Sequence, residues 1–212
     1  MKKVVTEREI IDFARSGEKI FPLTKGMLIT PLAQDRIKSL GITVTTGEEA
    51  KSLRQNKKPD FSIIALGCDH TGFKVKQMII KYLKEIGCTV NDTGTYNEEP
   101  ANYPEFASKV ARLVQKGEAD VGILIDATGI PSAITANKYK GIRAATCYNE
   151  FSVRSAREHN DANILVVGAV TLGEGTIKGL VELFLNVEFL AGRHKTRLEI
   201  IEKIESEQFC NS

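Results

Sequence analysis

Five strand-like segments, each followed by a segment with helical periodicity, dominate the sequence from residue 62 onward. Continuous apolar runs of this kind are typical of strands that are covered on both faces, and the segments between them are long enough for crossover helices. Repeated strand–helix units predict an α/β fold, with a doubly wound, parallel, five-stranded sheet of Rossmann-like type. The strand-like segments are SIIALGC, TVNDTGT, VGILID, IRAATCY and NILVVGA.

The first 47 residues follow a different pattern and predict a small α+β appendage. One helix is expected after Thr6, where Glu9 completes a capping box, and another after Thr30, where Pro31 takes the first helical position. The segments KIFPL and ITVTT are expected to be strands. So short a segment cannot bury a large core of its own, and we therefore interpret residues 1–47 as a docking segment.

Residues 48–61 are polar and highly charged and include Pro59, as is typical of a linker. The second domain is then expected over residues 62–206. A formal net charge of +2 gives no basic surface for nucleic acid or for a membrane. No apolar run approaches the roughly 20 residues of a transmembrane helix, and the N-terminus lacks the apolar part of a secretion signal. We therefore expect a cytoplasmic protein with reduced cysteines.

Polar residues follow two of the predicted strands directly. Asp69 and His70 come after the first, and Asp126, Thr128 and Ser132 come after the third. Ligands bind at the carboxyl ends of the strands in such sheets, so these residues are candidates for a binding site. Asp69 can also be explained as a helix cap. Asp126 is harder to explain in that way alone, because a buried carboxylate is costly and polar residues accompany it.

This predicted site is expected to bind a small, polar, anionic ligand. Backbone N–H groups near Gly129 and Ser132 would point toward it from the start of a helix. The segments GCDHTG and DATGIPSA lack the glycine spacing of a dinucleotide-binding turn and the GK[ST] of a P-loop. HExxH and a cysteine quartet are also absent from the sequence, so we expect no metal and no cofactor.

Motifs of the second domain resemble those of the type B ribose-5-phosphate isomerases and the galactose-6-phosphate isomerase subunits. In chain order they are GCDHTGF, DTGTYNEE with YPEFA, ANKYKGIRAA, SAREHNDANIL and GRHKTRLEII. The resemblance extends over about residues 62–205. It implies an aldose–ketose isomerisation of a sugar phosphate through an enediolate. It also implies a homodimer or tetramer whose active sites are shared between two subunits.

The resemblance also implies catalytic roles for three residues. Asp126 stands where the isomerases have the cysteine that removes the C2 proton, and a carboxylate can act as such a base. Thr128 matches the relay hydroxyl, and His159 matches the histidine that opens the sugar ring. The residues expected to bind the substrate are Asp69, His70, Tyr103, Gly129, Ser132, Asn137, Asn160, Arg193 and Arg197.

Three of these binding residues have more specific roles by the same resemblance. Asn137, together with the loop amides, matches the site that stabilises the enediolate oxyanion. Arg193 and Arg197 match the guanidinium groups that hold the phosphate. On spacing alone, these two arginines could equally form a solvated helix face.

Two departures from the isomerase pattern leave a second hypothesis open. In the DATGIP loop, Asp126 stands in place of the cysteine, and Pro131 stands in place of a glycine and removes one N–H group. Val170 stands where an arginine that binds phosphate is typical. Under this hypothesis the chain is a non-catalytic sugar-phosphate-binding or scaffold protein. A related alternative is one subunit of a heteromeric isomerase.

The N-terminal segment resembles that of the ethanolamine-utilisation cupin protein of bacterial microcompartments over about forty residues. ITPLA is the most specific part of this similarity. The resemblance implies that the chain works in, or is recruited to, a microcompartment, where residues 1–47 would contact a shell protein or an enzyme.

Overall fold

The structure, a computed structural model, describes residues 4–15, 20–24, 26–46 and 61–209. The chain divides into two compact units after residue 58. The predicted linker lies outside the described residues, except for residue 61. In the described ranges, no helix has both the length and the apolar character needed to cross a membrane.

In its described residues, the N-terminal unit contains two helices and two pairs of short parallel strands. Its elements are β1 (Val4–Val5), α1 (Glu7–Arg15), β2 (Ile20–Leu23), β3 (Leu28–Ile29), α2 (Pro31–Ser39) and β4 (Thr43–Thr46). Strand β1 pairs with β3, and β2 pairs with β4. Both predicted helix starts are confirmed: the Thr6 N–H donates to Glu9 Oε2 at 2.9 Å, and the Thr30 hydroxyl accepts from the Ala33 N–H at 3.2 Å.

A small core holds this unit together. Phe13 meets Phe21 edge to face with ring centroids 4.9 Å apart, and Arg36 of α2 bonds to Glu7 of α1 at 2.7 Å. Both contacts join different elements of the unit, and the Arg36–Glu7 pair joins residues 29 positions apart. The unit is therefore stabilised by packing between its helices and strands. The buried apolar residues are Val5, Ile10, Ala33, Ile37 and Ile42.

The second unit is the predicted doubly wound domain. Its elements are β5 (Ile63–Cys68), a 3-10 turn (His70–Gly72), α3 (Phe73–Glu85), β6 (Thr89–Asp92), α4 (Tyr103–Gln115), β7 (Val121–Asp126), α5 (Ile130–Ala136), β8 (Ala144–Thr146), α6 (Glu150–Asn160), β9 (Ile164–Gly168), α7 (Glu174–Asn186) and α8 (Arg193–Phe209). The five strands are parallel and lie in the order β6-β5-β7-β9-β8. Helices α3, α6 and α7 cover one face, and α4 and α5 cover the other.

Strands β5 and β7 are neighbours in the sheet although β6 lies between them in the chain. The winding therefore reverses direction here, and such a switch point opens a crevice at the carboxyl ends of the two strands. The Asp69 N–H donates to the Ile125 carbonyl at 3.2 Å and joins the two strand ends. Both predicted acidic residues, Asp69 and Asp126, thus lie at this crevice.

A buried ion pair connects α3 to the end of β6. Lys76 is 0% exposed, and its Nζ lies 2.5 Å from Asp92 Oδ1 and 2.7 Å from the Thr95 carbonyl oxygen. The ammonium also lies 5.0 Å from the centre of the Tyr96 ring. The helical pattern alone does not reveal this lysine as a core residue, because its partners come from another element.

We expect the Lys76→Met protein to lose about 3 kcal/mol of unfolding free energy, because the change leaves a partly buried carboxylate without its partner. Chemical denaturation measures this loss. Lys74→Met is the matched control on the same helix, since the Lys74–Glu98 pair is exposed and should change stability by about 0.5 kcal/mol or less. Equal losses in the two variants would contradict the role assigned to the buried pair.

Candidate active site

Asp126 closes the turn between β7 and α5. It is 1% exposed, and its carboxylate accepts three backbone N–H groups. Oδ1 takes those of Thr128, at 2.9 Å, and of Gly129, while Oδ2 takes that of Ser132 at 3.1 Å. The side chain therefore holds the loop and the first turn of α5 together, and Oδ2 is its less occupied oxygen.

This loop is packed tightly against the ends of β8 and β9. Gly129 has a φ of +84°, and a Cβ atom there would lie 2.9 Å from Thr146 Cγ2. A Cβ atom on Gly168 would lie 2.7 Å from the Thr128 carbonyl oxygen. The Thr146 hydroxyl donates to the Gly129 carbonyl at 2.8 Å. These contacts leave no space for larger residues and fix the position of Thr128.

Asp69 and His70 lie on the other side of the same crevice. Asp69 Oδ1 accepts the Thr71 hydroxyl at 2.6 Å and the backbone N–H groups of Thr71 and Gly72, so the residue is a helix cap. His70 Nδ1 accepts the Ala101 N–H at 3.3 Å. A neutral His70 ring must then carry its proton on Nε2, which makes that atom a hydrogen-bond donor for a ligand.

Tyr103 and Ser132 also lie at the carboxyl edge, but Asn137 does not. Tyr103 is the first residue of α4, and Ser132 is buried in the first turn of α5. Asn137 ends α5, and its amide forms two hydrogen bonds with the backbone of Ala144, at 2.9 and 2.8 Å. The Ala144 carbonyl uses one of the two N–H groups of this amide, and the oxyanion role that the family resemblance implies for Asn137 stays a prediction.

A second polar cluster lies at the amino edge of the sheet. The rings of His159 and His194 stack with centroids 4.3 Å apart and planes 10° apart. Arg193 and Arg197 lie exposed in the first turns of α8, which fits both a ligand-binding role and a solvated helix face. Asn160 ends α6 next to the pair, and its amide donates to the Ser155 carbonyl at 2.9 Å.

The direction of α6 separates this cluster from the crevice. The helix begins at the carboxyl end of β8 and returns to the amino end of β9, a path of about 16 Å for 11 residues. The amino-edge position of α8 is clear from the Glu205 carboxylate, which accepts the N–H of Gly141 just before β8 at 2.8 Å. Within one chain, Asp126 and Thr128 therefore lie at the carboxyl edge of the sheet. His159 and the two arginines lie at the amino edge.

Burial shifts the pKa of four titratable groups in this domain. It raises the pKa of Tyr82 to about 12, with Glu182 acting in the same direction. It raises the pKa of the Cys68 thiol to about 11, although Lys76 acts in the opposite direction, and it also raises the pKa of Cys147. Both thiols are thus protonated at neutral pH and cannot supply a thiolate base. Burial, followed by the charges of His159 and the flanking arginines, lowers the pKa of His194.

His194 was not predicted as a site residue. Its sequence signal is weak, because one histidine between two arginines on a charged helix also fits a solvated surface. The contact with His159 is visible only when α6 and α8 are placed side by side. Across the described residues, no group of three or more His, Cys, Asp or Glu side chains could hold a metal ion.

Comparison with known proteins identifies the family of the second domain. Residues 64–201 match the model of the Ribose/Galactose Isomerase family. The chain is 44% identical to ribose-5-phosphate isomerase B of Escherichia coli over 142 residues, which is 67% of this chain and 95% of that protein. It is 38% identical to the galactose-6-phosphate isomerase subunit LacB of Clostridium acetobutylicum, over 68% of this chain and 82% of the subunit.

Solved structures give the same result. The Clostridium thermocellum ribose-5-phosphate isomerase B is 44% identical, with a TM-score of 0.68 over 69% of this chain and 99% of that one. The Mycoplasma genitalium enzyme, solved with bound ribulose 5-phosphate, is 36% identical with a TM-score of 0.66, over 68% of this chain and 97% of that one. The chain belongs to the ribose/galactose isomerase family.

Proposed function

We propose that this chain is an aldose–ketose isomerase of sugar phosphates, with ribose 5-phosphate and ribulose 5-phosphate as its first candidate pair. The observation that carries this proposal is the match to ribose-5-phosphate isomerase B over 95% of the length of that enzyme. The matched region contains both polar clusters. Members of the family with this degree of similarity share the sugar-phosphate substrate class in their names.

The two clusters divide the reaction between them. His159 gives a proton to the ring oxygen while the C1–O bond breaks, and the proton of the C1 hydroxyl leaves to water. Asp126 Oδ2 then takes the proton from C2, and the electron pair of that bond forms the enediolate. Thr128 passes a proton between O1 and O2, and the proton on Asp126 returns to C1. Atoms and charge balance without a cofactor.

We expect positively charged side chains and N–H donors to bind the phosphate of the substrate. Arg193 and Arg197 supply planar guanidinium groups that can each bind two phosphate oxygens. His70 supplies Nε2–H from the crevice. Val170, which is 74% exposed beside the crevice loop, adds no charge where relatives would carry an arginine.

A complete site requires two copies of the chain. Within one copy, Asp126 and His159 lie at opposite edges of the sheet and are separated by the length of α6. In a dimer with twofold symmetry, the amino edge of one copy can face the crevice of the other, and the same contact forms twice. We therefore propose a homodimer, or a tetramer built from two such dimers, with shared sites.

Deuterium exchange tests the isomerase proposal. We expect the protein in D2O to place deuterium on the carbon next to the carbonyl of ribose or ribulose 5-phosphate, with galactose 6-phosphate as a further substrate to compare. Asp126→Asn should slow exchange by at least about 100-fold, because its amide cannot take the C2 proton. The measurement is NMR, with a thermal melt to verify that each variant is folded.

Asp120→Asn is the matched control. Asp120 Oδ2 also accepts two backbone N–H groups, from Ser62 and Ile63, but at the amino edge near β5. This variant should lose stability and retain exchange. If the Asp126→Asn protein exchanges deuterium as fast as the unmodified protein, Asp126 is only a structural cap of the helix. If the unmodified protein exchanges deuterium with no sugar phosphate, the isomerase proposal is wrong.

The N-terminal unit supports a second role, in docking. It lies outside the region that matches the isomerase family, and it exposes apolar side chains. Val4 and Leu28 are partners in the β1–β3 pair and are 46% and 54% exposed, and Leu32 is 66% exposed. We propose that this surface binds a shell or enzyme partner in a bacterial microcompartment, as the resemblance of residues 1–47 implies.

Charge substitution tests this docking surface. We expect Leu28→Lys with Leu32→Lys to abolish co-sedimentation of the full chain with purified microcompartments, because an ammonium group cannot be buried in an apolar contact. Leu40→Lys, at a residue 40% exposed on the same unit, is the control and should retain co-sedimentation. Retention by the double variant would contradict the docking role, and isomerase activity should be unchanged in both variants.

A further inference from the structure

His194 has an unusual environment for a histidine beside a phosphate site. It is 7% exposed, and its Nδ1 is buried without a hydrogen-bond partner among the residues that the structure describes. A buried N–H group without an acceptor loses its hydration and gains nothing in return. A positively charged His194 ring would carry such an N–H group on Nδ1, so the neutral ring is favoured.

The charges around the pair favour the same state. Arg193 and Arg197 come from the helix that carries His194, and His159 stacks on its face. Burial lowers the pKa of His194, and the charges of His159, Arg193 and Arg197 lower it further. A proton that enters the stacked pair therefore has one favourable location, which is the half-buried ring of His159.

Acidic groups that flank His159 on α6 are already paired. Asp161, two residues after His159, pairs with Arg143 at 2.9 Å and with Arg157 at 3.0 Å. On α6, Glu158 precedes His159 in the chain and is paired with Arg154 at 3.5 Å. The connector between α7 and α8 contributes Glu188 and is held to α6 by the Leu190 N–H, which donates to the Glu158 carbonyl at 3.1 Å. The phosphate of a bound substrate would be the anion added next to the arginines.

We propose that His194 is a positioning residue for His159. It stacks on the His159 ring, remains neutral, and makes His159 the ring that takes up a proton when a phosphate dianion binds Arg193 and Arg197. This inference rests on the proposed function, because it assumes that His159 opens the sugar ring.

The physical reason is charge compensation. In the empty site, two guanidinium groups disfavour a further positive charge on the pair. A bound phosphate offsets that charge, so His159 can accept a proton from solvent. This proton then passes to the ring oxygen as the C1–O bond breaks, and the C1 hydroxyl proton returns to solvent. The bound phosphate thereby favours the charged form of the ring-opening acid.

An NMR titration of the full-length protein tests the location of the proton. The chain has three histidines, so their 15N-labelled rings can be assigned by single substitutions. With inorganic phosphate as the probe, we expect the proton taken up on binding to appear on the His159 ring, while the His194 ring stays neutral at neutral pH. Protonation of His194 itself, or no response of His159 to phosphate, would overturn the proposal.

Two variants separate positioning from other roles. His194→Ala removes the stacked ring and should lower kcat for ring-form ribose 5-phosphate by about 10- to 100-fold. His194→Phe keeps a flat ring and should recover most of this loss. Both should retain deuterium exchange at C1 of ribulose 5-phosphate, which reacts without ring opening.

Other outcomes would contradict this role. If His194 simply bound phosphate, both variants would raise KM for the aldose and the ketose equally. If it only stabilised the fold, both would lower Tm without a difference between the two substrates. If the unmodified protein exchanged no deuterium, the proposed function would fail, but the phosphate titration would still test the His159–His194 pair because it needs no turnover.

Discussion

The common direction of the five strands is the constraint on which the site depends. Every helix that follows a strand must return to the amino edge, so residues at its start and at its end are separated by its full length. Asp126 ends a strand and Thr128 lies in the loop before the next helix, whereas His159 lies in the last turn of a helix. A single copy therefore places the two polar clusters at opposite edges, and we propose that a second copy brings them together.

The crevice half-site combines a structural and a chemical requirement in Asp126. Its carboxylate supplies acceptors for three N–H groups of a loop that is also confined by Gly129 and Gly168. A cysteine at this position, as in the isomerases that the chain resembles, would leave more of those N–H groups to a bound oxyanion. The Asp126 carboxylate thus binds N–H groups of this loop that could otherwise bind an anion.

Much of this arrangement could be predicted from local patterns. The five strands, both faces of helices and the Thr6–Glu9 cap follow from apolar periodicity and short-range hydrogen bonds. Strands β1 and β3 have two residues each, too few to give a pattern. Periodicity does not identify contacts whose partners come from other elements. Three such contacts are the buried ion pair of Lys76, the two hydrogen bonds between the Asn137 amide and the Ala144 backbone, and the His159–His194 stack.

Complementation between two inactive variants tests the central claim, a site shared between copies, most directly. Asp126→Asn and His159→Ala should each be nearly inactive alone on ribose 5-phosphate. When the two are co-expressed, random pairing makes half of the dimers mixed, and each mixed dimer has one intact site, so activity should recover to about a quarter of that of the unmodified protein. If the mixture remains as inactive as its components, the site does not combine residues from two copies, and the account is wrong.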